Sequence, residues 1–172
     1  MLNKLAPILV SLMLLAGLIT GCQPASIGGG NRVGDLATDF ALKDISGQTV
    51  SLSSYLGRGV ILNFWALDCP YCLDEMPFLE TARQNEAARE DRVEILTINM
   101  KDSASAIGAY FNAQGIGLNA VLDSGARISQ AYGVTGIPAT FMIDSQGVIV
   151  HIKRGAFISL KELELNLNRA RE

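Results

Sequence analysis

What this chain has little of narrows its chemistry first. It carries three cysteines and one histidine, so a zinc site built on the close cysteine pair would have to draw both remaining ligands from Cys22 and His151, a poor supply. Three cysteines, two of them in one tight pair, are also too few and too clustered to staple a small secreted fold. No basic run occurs, and the sparse aromatics (6% of residues) are not interleaved with Arg or Lys, which removes the usual footprint of nucleic-acid binding. Charged residues make up only 18% of the chain, with a net of −3, a balance that bears on solubility rather than on partner choice. The apolar stretch from Leu5 to Ile19 is short of the about 20 residues a spanning helix needs. No metal is expected, and no cofactor beyond what the cysteines themselves supply.

What is present is an address followed by a fold. Lys4 gives a short positive start, the apolar stretch follows, and Thr20-Gly21 places small residues just before Cys22. Residues 1–21 read as a signal peptide. Leu18-Ile19-Thr20-Gly21-Cys22 resembles a bacterial lipobox, and that resemblance implies cleavage before Cys22 and a diacylglycerol on its sulfur. Acyl chains contribute about 0.8 kcal/mol per buried methylene, so such an anchor would hold the domain at a membrane. The next segment contains Gly28-Gly29-Gly30, a backbone that is costly to fix. Residues 22–33 are therefore expected to be a flexible tether, and residues 34–172 one folded domain, exported and facing the periplasm or the outside.

Within that domain, 49% hydrophobic content over the whole chain is enough for a real core. Asp39–Lys43 alternates, Asp44-Ile45-Ser46-Gly47 turns, and Val50 and Leu52 resume, which predicts a hairpin. Val60–Trp65 is a continuous apolar run suited to a buried central strand, and Val93–Ile98 is a second. Helices are expected at about 70–89, with Pro77 inside, at 104–113 and at 126–132, with a short strand at 120–122 between the last two. Thr140–Ile143 and Val148–Ile152 form a hairpin, and a final helix opens at Ser159 and Glu162 with capping-box spacing. Strands interleaved with helices predict an α/β fold, a mixed central sheet with helices on both faces, preceded by an N-terminal β-hairpin.

Chemistry concentrates at Cys69-Pro70-Tyr71-Cys72, where a buried strand ends and a helix begins. A thiol at a helix N-terminus faces unpaired N–H groups and the positive end of the macrodipole, both of which favour thiolate. Pro70 in the first turn has no N–H to lose. The spacing lets two sulfurs exchange a disulfide, with Cys69 exposed for attack and Cys72 one turn deeper to resolve the mixed disulfide. Asp68 is expected as the cap that starts the helix, although as a carboxylate beside Cys69 it would oppose thiolate formation. His151, on a strand of alternating character, reads as an ordinary strand residue without ligand duty.

Phe64-Trp65-Ala66-Leu67-Asp68-Cys69-Pro70-Tyr71-Cys72 resembles the active site of the thioredoxin fold. Glu75-Met76-Pro77, Asp39-Phe40-Ala41-Leu42 with Val50-Ser51-Leu52, and Gly136-Ile137-Pro138-Ala139-Thr140-Phe141 resemble the TlpA/ResA-like redoxins, in order and from Gly34 onward. The resemblance implies a thioredoxin-like fold and thiol–disulfide exchange, with Cys69 as nucleophile and Cys72 as resolving thiol. It implies a cis Pro138, with the Ile137 backbone pairing with a bound substrate strand; Trp65 reads as core and wall of that substrate-binding site and not as a chemical participant. Glu75 matches the acidic residue that lines the cavity near the cysteines, where burial would raise its pKa and let it move protons. Cytosolic thioredoxins carry a buried Asp on the preceding strand; Asn63 stands there and cannot act as acid or base, which shifts proton handling to Glu75. Client proteins with disulfides or thiols are the expected partners, in the reducing direction, and the family implies a membrane thiol transporter as electron donor.

Two rival readings share parts of this pattern. A peroxiredoxin-like peroxidase resembles the N-terminal half, yet the Pro and Thr that precede a peroxidatic cysteine are missing ahead of Cys69. A copper-binding assembly factor would place its cysteines one residue further apart.

Overall fold

The computed structural model describes residues 29–171. The expected signal peptide, Cys22 and most of the expected tether lie outside the described residues. The end of that tether is bound into the fold: Gly30 bridges Ala37, and the Gly30 N–H donates to the Leu36 carbonyl at 2.8 Å. A glycine is needed at position 29, because a Cβ there would sit 2.2 Å from the Thr38 Cα. No helix among the described residues is long and apolar enough to cross a membrane.

Seven strands and four helices follow: β1 Ala41–Lys43, β2 Thr49–Ser51, β3 Val60–Trp65, α1 Pro70–Ala87, β4 Glu94–Asn99, α2 Ala104–Gln114, β5 Asn119–Leu122, α3 Arg127–Ala131, β6 Ala139–Ile143, β7 Ile149–Arg154 and α4 Leu160–Arg171. A 3-10 turn at Leu52–Tyr55 follows the hairpin and was not legible from the apolar pattern. β1 and β2 pair antiparallel as expected, and an isolated bridge from Asp44 to Val121 docks the hairpin on the edge strand β5. Covering an edge in this way removes a site for pairing with other chains.

The main sheet runs β5-β4-β3-β6-β7, with β3, β4 and β5 parallel and β6 and β7 antiparallel. All six residues of β3 are buried because the strand is central and both its faces are covered. Successive side chains point to opposite faces. Ile61 and Trp65 join Met76 and Leu79 of α1, Ile107 and Phe111 of α2, and Leu163 and Leu167 of α4 in one core. Val60, Leu62 and Phe64 meet Phe141, Ile128 and Tyr132 in the other. Trp65 stacks on Phe111 with ring centroids 5.6 Å apart and planes 9° apart, which locks the end of β3 against α2. The mixed sheet with helices on both faces is as expected.

The helix starts are chemically explicit. Ser103 caps α2, its hydroxyl accepting from the Ala106 N–H at 3.2 Å, and Gly115 closes that helix in the left-handed region at φ 66°. At α4 the Ser159 hydroxyl accepts from the Glu162 N–H at 3.2 Å, while the Glu162 carboxylate accepts from the Ile158 N–H, one residue earlier than a capping box has it. Gly59, just before β3, passes close to the end of α4: a Cβ there would lie 2.2 Å from the Ala170 carbonyl oxygen. Gly59→Ala is expected to destabilise the domain by about 1–3 kcal/mol, since backbone must shift to admit the methyl group. Urea unfolding of the variant against the parent checks this, and an unchanged midpoint would contradict it.

Candidate redox site

The site begins where β3 hands over to α1. Its last buried residue, Trp65, is followed by a short loop, and Cys69 is the N-cap of α1 with extended backbone (φ −104°, ψ 97°) and Pro70 in the first turn. The Cys69 Sγ accepts from the Cys72 N–H at 3.2 Å, so the sulfur already faces a donor at the positive end of the helix. Cys69 and Cys72 are joined by a disulfide, their Cα atoms 5.2 Å apart. The two sulfurs differ in access: Cys69 retains 9% exposure and Cys72 none. Tyr71 between them is 70% exposed, an apolar ring standing free beside the pair.

Glu75 lies one turn below Cys72 on the same helix face, fully buried. Its Oε1 accepts from Asn63 Nδ2 at 2.8 Å and its Oε2 from the Phe157 N–H at 2.8 Å. Burial dominates and pushes the carboxyl up to about 7; the Phe157 and Asn63 hydrogen bonds and Lys153 oppose this, and Glu162 adds to it. Asn63 Nδ2 also donates to Thr140 Oγ1 at 3.0 Å, while Asn63 Oδ1 is buried without a partner among the described residues. Two elements thus meet the carboxyl group, β3 through Asn63 and the β7–α4 loop through Phe157, and β6 joins through the bond from Asn63 to Thr140.

The Ile137–Pro138 peptide bond is cis. Because β6 runs antiparallel to β3 with Phe64 opposite Ala139, Pro138 stands at the end of the sheet from which the Cys69 loop departs. Ile137 packs against the core that holds Cys69, Cys72 and Trp65. Ahead of α3 the buried Asp123 carboxylate accepts from the Ile128 N–H at 3.2 Å, the Ser129 N–H at 2.8 Å and the Ser129 hydroxyl at 2.5 Å, which fixes the start of that helix. Trp65 is wholly buried, so it stands behind the site as core and not as exposed wall; its Nε1 has no hydrogen-bond partner among the described residues. His151 is half-buried on β7 opposite Met142, and partial burial with Arg169 and Lys153 nearby holds its pKa below the usual value.

The expectation for Asp68 is corrected too. Asp68 does not cap α1, because Cys69 occupies the cap with its own sulfur as acceptor. The Asp68 carboxylate instead pairs with Lys101 on the β4–α2 turn, Nζ to Oδ2 2.5 Å. Sequence reading missed Lys101, Thr140 and the Phe157 N–H. Only Thr140 carried a signal, as a polar residue inside the apolar strand Ala139–Ile143.

A cap-position cysteine disulfide-bonded one turn into a helix, a cis-proline loop at the same end of a mixed sheet, and a buried carboxyl beneath the pair define a thioredoxin-like thiol–disulfide centre. The chain belongs to the AhpC/TSA family, whose model matches residues 33–152. It is 33% identical over 124 residues to the thiol-disulfide oxidoreductase ResA of Halalkalibacterium halodurans, covering 72% of this chain and 69% of that protein. With ResA of Bacillus subtilis the identity is 34% over 122 residues, covering 71% and 67% respectively. Among solved structures, the exposed lipoprotein thioredoxin of Streptococcus pneumoniae matches with a TM-score of 0.65 at 26% identity, covering 76% of this chain and 98% of that one. The protein is a thiol–disulfide oxidoreductase of the ResA type.

Proposed function

We propose that the protein is an extracytoplasmic, lipid-anchored reductant of client disulfides, in which Cys69 attacks, Cys72 resolves and Glu75 carries the proton. The observation that carries this reading is the placement of the Cys69 sulfur at the head of α1, with the wholly buried Glu75 carboxyl one turn below Cys72. The Cys69 thiolate attacks one client sulfur; a Cys69–client S–S bond forms and the client's other sulfur leaves as a thiolate. Cys72 gives its proton to Glu75 and attacks the Cys69 sulfur, so the client's second thiolate departs and the Cys69–Cys72 disulfide remains. Two electrons pass from the dithiol to the client. Glu75 at about 7 is matched to this task, since it can hold or release a proton near neutral pH. Ile137 and Pro138 present backbone to the client strand, with Trp65 as the rigid base of that surface.

Export and anchoring are supported by the lipobox-like residues ending at Cys22 and by the similarity to an exposed pneumococcal lipoprotein. A membrane thiol transporter is the class of donor that would restore the dithiol. Direction is tested by the reduction potential of the purified protein against glutathione and dithiothreitol. A value near about −270 mV, as for thioredoxin, is expected; one near about −120 mV, as for a strong oxidant, would reverse the direction. Stoichiometric consumption of hydrogen peroxide would favour a peroxidase instead.

A further inference from the structure

We propose that Lys101 is a positioning residue for the exchange reaction: by pairing with Asp68 it cancels the one carboxylate adjacent in sequence to Cys69, which would otherwise oppose thiolate formation. A negative charge beside a thiol disfavours its ionisation. Lys101 lies 33 residues further along the chain, yet its Nζ is 2.5 Å from Asp68 Oδ2. That hydrogen bond holds the Asp68 carboxyl below the usual carboxylate range, so the contact joins an anion to a cation.

An exposed ion pair between two freely moving side chains usually contributes little, because both lose rotamer freedom and salt screens the attraction. Here the two backbones are placed in advance. Asn99, almost wholly buried, accepts on Oδ1 from the Lys101 N–H at 3.0 Å and the Asp102 N–H at 2.7 Å, and donates through Nδ2 to Asp102 Oδ2 at 2.9 Å. The same Asp102 oxygen accepts from the Leu67 N–H at 2.7 Å, and the Met100 N–H donates to the Trp65 carbonyl at 3.1 Å. The turn after β4 and the loop leading to Cys69 therefore form one hydrogen-bonded unit, with Lys101 and Asp68 as its two exposed charges. The other carboxylates on the flanking elements are engaged elsewhere: Asp102 faces the Leu67 N–H, Glu75 is buried under Cys72, and Asp74 on α1 lies near Tyr110 of α2. With the pair intact the Asp68 charge beside Cys69 is compensated; without Lys101 it is not.

The inference rests on Cys69 as the attacking thiol, and its test needs no client, so failure of one is distinguishable from failure of the other. The measurement is the pH dependence of iodoacetamide labelling of Cys69 in the reduced full chain, with the labelled peptide assigned by mass spectrometry. A unit charge several ångströms away in a water-like surface dielectric moves a pKa by roughly half a unit. Lys101→Met is expected to raise the Cys69 pKa by about that much, leaving roughly three-fold less thiolate at a fixed pH below it. Lys101→Arg should keep the parent value. The double variant Lys101→Met with Asp68→Asn, which removes both charges, should return to the parent value, a rescue that a merely structural role for Lys101 would not give. A Lys101→Met pKa equal to the parent's, or a double variant that keeps the raised value, would overturn the proposal.

Discussion

Cys69→Ser is expected to abolish exchange, lowering the second-order rate with a disulfide substrate by at least about 10³-fold. A serine hydroxyl does not ionise near neutral pH and forms no S–S bond, so neither the attack nor the mixed disulfide survives. The fold should persist, because the serine oxygen can still accept from the Cys72 N–H and cap α1 as the sulfur does. The proper reference is the reduced parent, since the oxidised protein also carries a disulfide whose short loop contributes at most about 2 kcal/mol on the chain-entropy account. Stopped-flow exchange with a peptide disulfide, alongside urea unfolding of both reduced proteins, separates lost chemistry from lost structure.

Glu75→Gln is expected to have the second largest effect, and in opposite senses on rate and stability. Burial holds the Glu75 carboxyl at about 7 in the fold against an ordinary 4.5. Between those values the native state holds a proton that the unfolded chain has released, so stability falls as pH rises and flattens above about 7. The stabilisation present below about 4.5 is thereby lost, and the distance between the two values makes the loss about 3 kcal/mol. The substituted amide would not titrate, so the variant should gain on the parent by an amount of that order at pH 8 and little at pH 4. The site can accept the amide: its oxygen can serve the Phe157 N–H, and its NH₂ can face Asn63, whose unpartnered Oδ1 can turn to receive it. Exchange should drop by about 10²-fold near neutral pH and lose its inflection near 7, because no group remains to take the Cys72 proton. Denaturant melts across pH and a pH–rate profile read these two effects independently. A variant whose stability follows the parent's pH dependence would show that Glu75 is not the buried titrating group.

Elements that answer to local rules were legible in the sequence. The run Val60–Trp65, apolar at every position but Asn63, gives a strand buried on both faces, and Leu163 and Leu167 lie on the apolar stripe that seats α4. The cysteine pair was legible too, since strand end, proline and spacing act within a few residues. What was not legible depends on residues meeting across elements. Asn63 and Thr140 are 77 residues apart and meet because β3 and β6 are neighbours in the sheet; Glu75 and Phe157 are 82 apart and meet where α1 packs beside the β7–α4 loop. The Phe157 contribution is a backbone N–H, which any residue type but proline supplies and no side-chain pattern reports. Asp68 was misplaced for the same reason: a carboxylate before a helix suits a cap locally, but the cysteine's own sulfur takes that place and Lys101 arrives from a distant turn.

The most direct measurement is the site of the mixed disulfide. Reduced Cys72→Ser protein is incubated with a client or peptide disulfide, quenched in acid, and the adduct located by peptide mass spectrometry. A stable adduct on Cys69 is expected, because the attacking sulfur is then joined to the client with no partner to release it. No adduct on Cys69, or equally fast adduct formation on Cys72 in the Cys69→Ser protein, would contradict the division of labour between the slightly exposed residue at the head of α1 and the wholly buried one beneath it.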